Sequence, residues 1–497
     1  MASLTSSAAT PQDHIVMFPY MAQGHIIPFL SLAHLIQRLS PHTIITLVST
    51  PLNIQTLRSS LPPISTLHLA TLPFSSSAHG LPPNSENTDS LPANLLITLF
   101  QASQTLQPSF ENLLDQLGKP PTCIIADVFL GWTVESARKI GARHAVFTTC
   151  GAYGSAFYFS LWLHLPHSLT DSDEFHLPGL PDSFRIHRTQ MSFYMRAADG
   201  KDPGSIFFRK QISLSLMSDF MLCNTVEEVE KTGLELLRKN TGLPVWSIGP
   251  LLPQLFGFSS SGRVRKEPGV SSDDCIAWLN LHRPSSVLYI SFGSQNTISA
   301  AQMMELAIGL ESTGKSFIWV VRPPIGHDIN GSFLAEEWLP KGFEDRIAER
   351  KQGLLVRKWA PQLEILGHES TGVFLSHCGW NSVLESLSNG VPMIGWPLAS
   401  EQFYNVKMME EELGVCVEVA RGTGGDCGVV VERGKVKEVI EVVMGETEKG
   451  EEMKRKAGEL KEMMRAAMEE EGGRRGSSLM ATDDFLSTIS SEGKIDG

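Results

Sequence analysis

The chain has 497 residues, of which 42% are hydrophobic and 19% are charged, with a mean hydropathy near zero. This composition is typical of a globular protein, and the length exceeds what a single core usually supports, so two domains are expected. The net charge of -13 argues against a broad nucleic-acid-binding surface. Seven scattered cysteines without a CxxC pair favour neither a disulfide framework nor a zinc site.

The start of the chain, up to Asp13, is small and polar, with no basic segment and no apolar run. A secretory signal is therefore not expected. The longest apolar runs, such as SVLYISF, are too short to cross a bilayer. We expect a cytoplasmic monomer with no membrane span and no nucleic-acid partner.

The first half of the chain alternates strand and helix patterns. An apolar run from His14 to Pro19 predicts a strand, and a turn containing glycine leads into a helical pattern of apolar residues up to Ile36. Thr43 to Ser49 predicts a second strand, and the runs CIIAD and HAVFT continue the alternation. The pattern predicts a parallel, doubly wound α/β sheet.

The second half repeats this pattern, with predicted strands at 286–291, 316–321 and 353–356 and a helix at 300–311. Between the halves lies a segment rich in Ser, Gly, Pro and charge, a composition typical of a linker. The predicted organisation is a first domain at 1–252, a linker at 253–272, a second α/β domain at 273–475 and a carboxyl-terminal segment at 476–497.

One compact βαβ unit is predicted between Gly372 and Pro397, with a tight turn before the helix and a glycine stop at Gly390. Free backbone N–H groups and the positive end of the dipole favour an anion at the start of such a helix. A diphosphate group can bind there without a metal. The residues that the turn brings to this point are Gly379, Trp380, Asn381 and Ser382.

The longer stretch from Trp359 to Gln402 reads WAPQLEILGHESTGVFLSHCGWNSVLESLSNGVPMIGWPLASEQ. It resembles the signature box of plant family 1 UDP-dependent glycosyltransferases, and GHIIP, PGLP and WSIGPL extend the resemblance over most of the chain. The resemblance implies the GT-B fold, in which two Rossmann-like doubly wound parallel-sheet domains face each other across a cleft. It also implies that the carboxyl-terminal helix and tail at 476–497 pack back on the first domain. It also implies a UDP-sugar donor and a small-molecule acceptor as the partners, with no cofactor and no metal.

Residue by residue, the resemblance implies a nucleoside site within this box. Trp359 would stack on uracil, because an indole face suits a flat base. The Ala360 backbone and Gln362 would contact the nucleoside, and Glu385 would accept both ribose hydroxyls. An isolated Trp usually lies in the core and an isolated Glu on a helix is usually exposed to solvent. The spacing of all these residues together favours a nucleotide-binding role.

The same resemblance implies a phosphate site and a sugar site. Glu401 and Gln402 would bind sugar hydroxyls, and Trp380 with Gln402 accompanies a preference for glucose in the family. UDP-glucose is therefore the expected donor, and another UDP-sugar is the alternative. The residues expected to hold the phosphates are His377, Asn381, Ser382 and, from the segment SFGS, Ser294.

A base of near-neutral pKa is needed to take the proton of an acceptor hydroxyl, and histidine fills this role most readily. Among fifteen histidines, His25 follows the first strand and lies at the start of the first helix, where the helix dipole disfavours the imidazolium. The family has its catalytic histidine in the same GHxxP arrangement. The resemblance therefore implies His25 as the base, with capping or packing as the structural alternative.

Asp127 ends the apolar strand predicted at Cys123 to Ala126, and open α/β sheets place their sites at such strand ends. A carboxylate there would orient His25 and stabilise its charged form, whereas the alternative role is a helix cap. The resemblance also implies that Thr149 offers a hydroxyl near the sugar. Direct displacement of the diphosphate by the acceptor would invert the configuration at the anomeric carbon of the α-linked donor sugar and give a β-glycoside.

Acceptor recognition is expected from three segments of the first half, 74–92, 156–164 and 184–195. The aromatic run in the second of them suits a phenolic or terpenoid acceptor, and it fits helix packing equally well. The DxD sequence at Asp171 to Asp173 matches a metal-binding pattern of another glycosyltransferase architecture. Its polar surroundings favour a solvated loop.

Two other functions compete with glycosyl transfer. A dinucleotide oxidoreductase would need a GxGxxG sequence after a strand, and neither half has one. A non-catalytic small-molecule carrier on the same fold would not need His25, Asp127 and Gln402 to be intact, so their presence argues against it.

Overall fold

The computed structural model describes residues 13–62, 65–256, 269–422 and 430–491. Most of the predicted linker, residues 257–268, lies outside these described residues. Within them, each half of the chain forms a parallel sheet that is covered by helices on both faces.

The first half is built on near-continuous apolar runs, as expected for strands that are covered on both faces. Its central strands are buried along almost their whole length. The strands are β1 (His14–Phe18), β2 (Ile44–Ser49), β3 (His68–Thr71), β4 (Cys123–Asp127), β5 (Arg143–Thr148), β6 (Glu174–His176), β7 (Arg185–His187), β8 (Phe220–Cys223) and β9 (Val245–Ser247). The helices are α1 (Gln23–Leu39), α2 (Pro51–Ser60), α3 (Leu96–Ser103), α4 (Gln107–Gln116), α5 (Thr133–Ile140), α6 (Ala152–His164), α7 (Phe193–Ala197), α8 (Pro203–Ser215) and α9 (Lys231–Thr241).

The second half is built in the same way. Its strands are β10 (Val287–Ser291), β11 (Ser316–Val321), β12 (Gly353–Arg357), β13 (Thr371–Ser376), β14 (Met393–Gly395) and β15 (Cys416–Glu418), followed by the short strands β16 (Glu470–Glu471) and β17 (Arg474–Arg475). Its helices are α10 (Ser272–Leu279), α11 (Ala300–Thr313), α12 (Ala335–Trp338), α13 (Phe343–Glu349), α14 (Gln362–Gly367), α15 (Trp380–Ser388), α16 (Gln402–Met408), α17 (Arg433–Met444), α18 (Glu448–Ala467) and α19 (Ser477–Ser491).

In the described residues, the two parallel sheets have the orders β3-β2-β1-β4-β5-β8-β9 and β12-β11-β10-β13-β14-β15. In each, the order reverses beside a central strand, since β1 lies between β2 and β4, and β10 lies between β11 and β13. Loops that follow the two strands at such a reversal diverge and leave a crevice at the carboxyl edge. The predicted pair of doubly wound parallel sheets is confirmed. Each sheet has a crevice of this kind at its carboxyl edge.

The aromatic run predicted at 156–164 as an acceptor segment lies inside helix α6, and most of its side chains are buried. Tyr153 and Phe157 stack with ring centroids 4.4 Å apart, and Phe157 lies 5.5 Å from Tyr404 of the second half. Phe157 therefore packs against the second half, whereas Tyr158 and Trp162 pack against Phe208 of the first half. Helix packing is the structural alternative left open by the sequence of this run.

The last helix, α19, packs against the first half, although it follows the second half in the chain. The Phe485 ring lies 5.6 Å from Trp246 and 6.1 Å from Phe220, and the indole nitrogen of Trp246 donates to Asp484 at 2.8 Å. The buried Ser478 hydroxyl donates to the Gly249 carbonyl oxygen at 2.5 Å. The chain therefore passes between the two halves twice.

We expect the change Phe485→Ala to lower the free energy of unfolding by about 3–5 kcal/mol, because the ring is 1% exposed and its removal leaves a cavity. Urea denaturation followed by tryptophan fluorescence measures this loss. Met480→Ala on the same helix is the control, because that side chain is 53% exposed and its loss should cost no more than about 0.5 kcal/mol. Equal losses for the two variants would contradict the packing of α19.

Candidate active site

A cleft of about 670 Å³ separates the carboxyl edges of the two sheets. Residues that follow β1, β5 and β9 line one wall, and residues that follow β10, β11, β12, β13 and β14 line the other. Asp127 alone among the predicted site residues does not line the cleft, and it lies directly behind His25. The predicted residues that do line the cleft are His25, Thr149, Ser294, Trp359, Ala360, Gln362, His377, Gly379, Trp380, Asn381, Ser382, Glu385, Glu401 and Gln402.

His25 and Asp127 form a close pair, although 102 positions separate them in the chain. β1 and β4 are neighbours in the sheet, so the first turn of α1 lies next to the end of β4. His25 Nδ1 lies 2.6 Å from Asp127 Oδ2, and the other carboxylate oxygen accepts a bond from the backbone N–H of Phe129 at 3.1 Å. Because Nδ1 is occupied, Nε2 is the nitrogen left for a ligand in the cleft.

The electrostatic setting of His25 differs from the expectation based on the helix dipole. Burial lowers the pKa of His25, but the charge of Asp127, its hydrogen bond and the charge of Glu401 outweigh burial and raise this pKa above its ordinary value. The expectation that the helix start keeps the ring neutral is therefore wrong in direction. A buried carboxylate at 2.6 Å has more effect than the partial charge of a helix end.

Two of the three side chains expected near the sugar, Thr149 and Glu401, lie on opposite walls beside His25. Thr149 follows β5, and its hydroxyl lies 3.4 Å from His25 Nδ1. Glu401 precedes α16 in the second half, and burial raises the pKa of its carboxyl group, while the charge of His25 acts in the opposite direction. The space between the Thr149 and Glu401 side chains therefore lies between the carboxyl edges of the two sheets.

Glu385, expected at the ribose, belongs to a buried hydrogen-bond network. The Gln362 amide nitrogen donates to Glu385 Oε2 at 2.6 Å and to the Ser382 hydroxyl at 3.2 Å. The Tyr289 hydroxyl donates to the Gln362 amide oxygen at 3.1 Å. Gln362, expected to contact the nucleoside, thus holds Glu385 in place, and Tyr289 is a member of the site that we did not identify from the sequence.

His377 lies in a slot between two glycines. A Cβ atom at Gly293 or at Gly379 would come within 2.6 Å of His377 Nε2, so only glycine fits at either position. Gly293 also has a φ of +78°, which side chains rarely adopt. Burial lowers the pKa of His377 to about 4, so the ring is neutral at physiological pH.

Helix α15 begins at the cleft, and its N-cap residue Gly379 has no side chain that could cap it. The backbone N–H of Trp380 donates to the Glu401 carboxylate, so a ligand would meet the remaining N–H groups of the first turn. Two residues of its first turn reach across to the first half. The indole nitrogen of Trp380 donates to the Asn224 carbonyl oxygen at 2.6 Å, and the Asn381 amide nitrogen donates to the Gly24 carbonyl oxygen at 3.0 Å. The expected phosphate site is therefore attached to the first turn of α1, which carries His25.

The side-chain oxygen of Gln402 accepts bonds from the backbone N–H groups of Leu398 at 3.0 Å and Ala399 at 2.9 Å. These bonds fix the orientation of the amide group. Its NH₂ group is then the part left for a ligand, and it suits a sugar oxygen as acceptor.

Sequence reasoning missed two further buried charged residues. The Glu230 carboxylate accepts bonds from the N–H groups of Ala152 and Tyr153, and burial raises its pKa to about 7 despite these bonds. Glu230 therefore holds the start of α6 beside Thr149. Arg322 follows β11 and lines the cleft. A charged residue that follows the apolar strand SFIWVV is the same signal that identified Asp127, and it was available for Arg322.

Asp171 and Asp173 of the DxD sequence are exposed and lie before β6. Within the ranges that the structure describes, no three His, Cys, Asp or Glu side chains are grouped so that they could hold a metal ion. No helix in those ranges combines the length and the apolar character needed to span a bilayer.

Comparison with known proteins identifies the family of the chain. Residues 12–253 match the family model "Glycosyltransferase, N-terminal domain", and residues 223–433 match the model "UDP-glucoronosyl and UDP-glucosyl transferase". Crocetin glucosyltransferase 3 of Crocus sativus is 50% identical over 479 residues, which cover 93% of this chain and 96% of that protein. The chain belongs to the UDP-glycosyltransferase family. The family predicted from the box at Trp359 to Gln402 is therefore confirmed.

Solved structures of UDP-glycosyltransferases share the whole architecture. UGT73P12 of Glycyrrhiza uralensis, complexed with glycyrrhetinic acid 3-O-monoglucuronide, superposes with a TM-score of 0.82 at 28% identity and covers 96% of each chain. UGT2 of Phytolacca americana, complexed with UDP-2fluoro-glucose and pterostilbene, has a TM-score of 0.75 at 27% identity and covers 96% of this chain and all of that one. The GT-B fold is confirmed, and the chain is an enzyme of the UDP-glycosyltransferase class.

We expect Gly293→Ala to weaken binding of UDP by at least about tenfold, because the new Cβ atom displaces the His377 ring from its slot. Isothermal titration with UDP measures the change. Gly314→Ala is a matched control, since Gly314 has a similar φ of +64° but a Cβ atom there meets nothing within 4 Å. Both variants carry similar backbone strain, so equal UDP affinities would contradict the role of the slot.

Proposed function

We propose that this UDP-glycosyltransferase transfers glucose from UDP-glucose to a hydroxyl group of a small lipophilic metabolite and gives a β-glycoside. The observation that carries the proposal is the 2.6 Å pair of His25 and Asp127, which lies across the cleft from the start of α15. The relatives support the same chemistry, because one is named a crocetin glucosyltransferase and one structure holds UDP-2fluoro-glucose with pterostilbene.

In the proposed reaction, His25 Nε2 takes the proton of the acceptor hydroxyl as its oxygen attacks the anomeric carbon of glucose. The bond from that carbon to the phosphate oxygen breaks, and its electron pair leaves with UDP. Asp127 stabilises the imidazolium as it forms. The N–H groups at the start of α15 stabilise the negative charge that develops on the leaving phosphate. Attack from the side opposite to UDP inverts the configuration.

In the proposed complex, each part of the UDP-sugar is bound by its own group of residues. Trp359 stacks on uracil, with the Ala360 backbone beside it, and Glu385 accepts the ribose hydroxyls in the orientation that Gln362 fixes. The sugar lies between Glu401, the NH₂ group of Gln402 and Thr149. The phosphates lie against Ser294, His377, Asn381 and Ser382 at the start of α15.

An aromatic wall packs beside His25. The Tyr20 and Phe129 rings lie 5.7 and 5.5 Å from the His25 ring, and Phe100 stacks on Tyr20 at 4.4 Å. From the expected acceptor segments, Tyr158 of α6 joins this wall at 6.5 Å from Phe129. Tyr20 is fully buried, so this wall supports the His25 ring from behind, and the proposal of a lipophilic acceptor rests on the relatives.

We also propose that the enzyme acts in the cytoplasm as a monomer and needs no metal ion. The six cysteines in the described residues are all free thiols, which supports a reducing compartment. The start of α15 offers the diphosphate a site made of backbone N–H groups, and such a site requires no metal.

Incubation of the enzyme with UDP-glucose, UDP-galactose or UDP-xylose and a panel that includes crocetin and pterostilbene tests the proposed function. We expect UDP-glucose to be preferred, and a β-linkage in the product by nuclear magnetic resonance. His25→Ala should lower kcat/KM by about 10²–10⁴-fold and leave UDP affinity unchanged. The exposed His68, outside all expected site segments, provides the control variant His68→Ala, which should retain full activity. UDP binding without transfer by the wild type would instead favour the non-catalytic carrier.

The pH dependence of kcat/KM tests the roles of His25 and Asp127. The base acts in its neutral form, and its pKa is raised above 6.5, so kcat/KM should fall as the pH drops through that raised value. Asp127→Asn leaves the lowering effect of burial opposed only by Glu401, so this fall should move to lower pH. The same variant should lower the maximal rate, because the imidazolium loses its counter-charge. The exposed residue Asp182 gives the control Asp182→Asn, and an unmoved pH profile in Asp127→Asn would contradict the pairing.

A further inference from the structure

Arg322 is a buried cation on the donor side of the cleft. It directly follows β11, is 8% exposed and lines the cavity. Arginine is almost never buried in a protein unless another group compensates its charge. The position therefore calls for a partner.

The protein itself satisfies the Arg322 guanidinium only in part. One terminal nitrogen donates to the Ser294 carbonyl oxygen at 2.5 Å, and the guanidinium carbon lies 5.2 Å from the centroid of the Trp359 ring. Nε is buried and has no hydrogen-bond partner among the described residues, and the charge of Asp89 favours the charged form of the guanidinium. A single guanidinium thus contacts both the loop of the expected phosphate site and the indole of the expected base site.

A UDP-sugar brings a diphosphate into this cleft, and the other groups near its expected position do not balance that charge. His377 is neutral, and Glu385 and Glu401 are acidic. The start of α15 supplies only about half an elementary charge. Among the described residues that line the cleft, the fixed cations are Arg322 and Lys358, and Lys358 is exposed to solvent.

We propose that Arg322 is a further donor-binding residue, whose guanidinium supplies the positive charge that the diphosphate of the UDP-sugar meets in the cleft. The planar fork of a guanidinium matches phosphate oxygens, and its bond to Ser294 fixes the adjoining loop. This inference rests on the proposed function and adds a residue to its donor site.

Calorimetric titration of UDP and of uridine into the wild type and into Arg322→Gln tests the inference, because uridine lacks the phosphates. We expect Arg322→Gln to weaken UDP binding by at least about tenfold and uridine binding by less than about twofold. Arg322→Lys should recover part of the UDP affinity, because lysine keeps the charge but not the fork. The KM for UDP-glucose should rise with the Kd for UDP, while kcat at saturating donor should change less.

Arg357→Gln is the matched control. Arg357 lies opposite Val321 on the neighbouring strand, so it is one strand away from Arg322 in the same half. Its guanidinium pairs with Glu344 at 2.7 Å on the exposed side of the domain. Loss of this charge should leave both the UDP and the uridine affinities unchanged.

Equal losses of UDP and uridine affinity in Arg322→Gln, with no recovery in Arg322→Lys, would overturn the inference and assign Arg322 a packing role. Unchanged UDP affinity would overturn it as well. If Arg322→Gln does not fold, Arg322→Met provides the same comparison, because an apolar chain of similar length suits a buried position. A wild type that does not bind UDP would overturn the proposed function and this inference together, whereas a wild type that binds UDP leaves the variants to decide the inference alone.

Discussion

A parallel strand reaches its neighbour only through a crossover, so all strands of such a sheet end at the same edge. In this enzyme the carboxyl edges of two parallel sheets face each other, and the residues that follow the strands meet in one cleft. The start of α1, the end of β4 and the loop after β5 are adjacent for this reason, although they are far apart in the chain. The pairing of His25 with Asp127 is a consequence of strand order.

The two halves divide the chemistry between them. The first half holds the proposed base His25 and its carboxylate partner Asp127, and the second half holds the helix start at which we propose that the diphosphate binds. The bonds from Trp380 to Asn224 and from Asn381 to Gly24 link these parts directly. The bond from the Asn381 side chain ends on the residue that precedes His25, so the start of α15 and the first turn of α1 are in direct contact.

Local patterns in the sequence predicted much of the fold and most of the expected site, because Trp359 to Gln402 is one contiguous box and Asp127 ends an apolar run. The aromatic wall of Tyr20, Phe100 and Phe129 was not predicted, since it forms from three separate segments that only the fold brings together. The pKa of His25 was predicted in the wrong direction. The helix start is visible in the sequence, whereas the 2.6 Å distance to a buried carboxylate is not.

The return of α19 to the first half has a mechanical consequence. A body joined to another by one flexible connection can swivel in any direction, but two separate connections leave mainly a rotation about the line through both. The chain crosses between the halves after β9 and again between α18 and α19, so two connections restrict how the halves can move relative to each other. The aromatic contact of Phe485 with Trp246 holds the second of these connections against the first half.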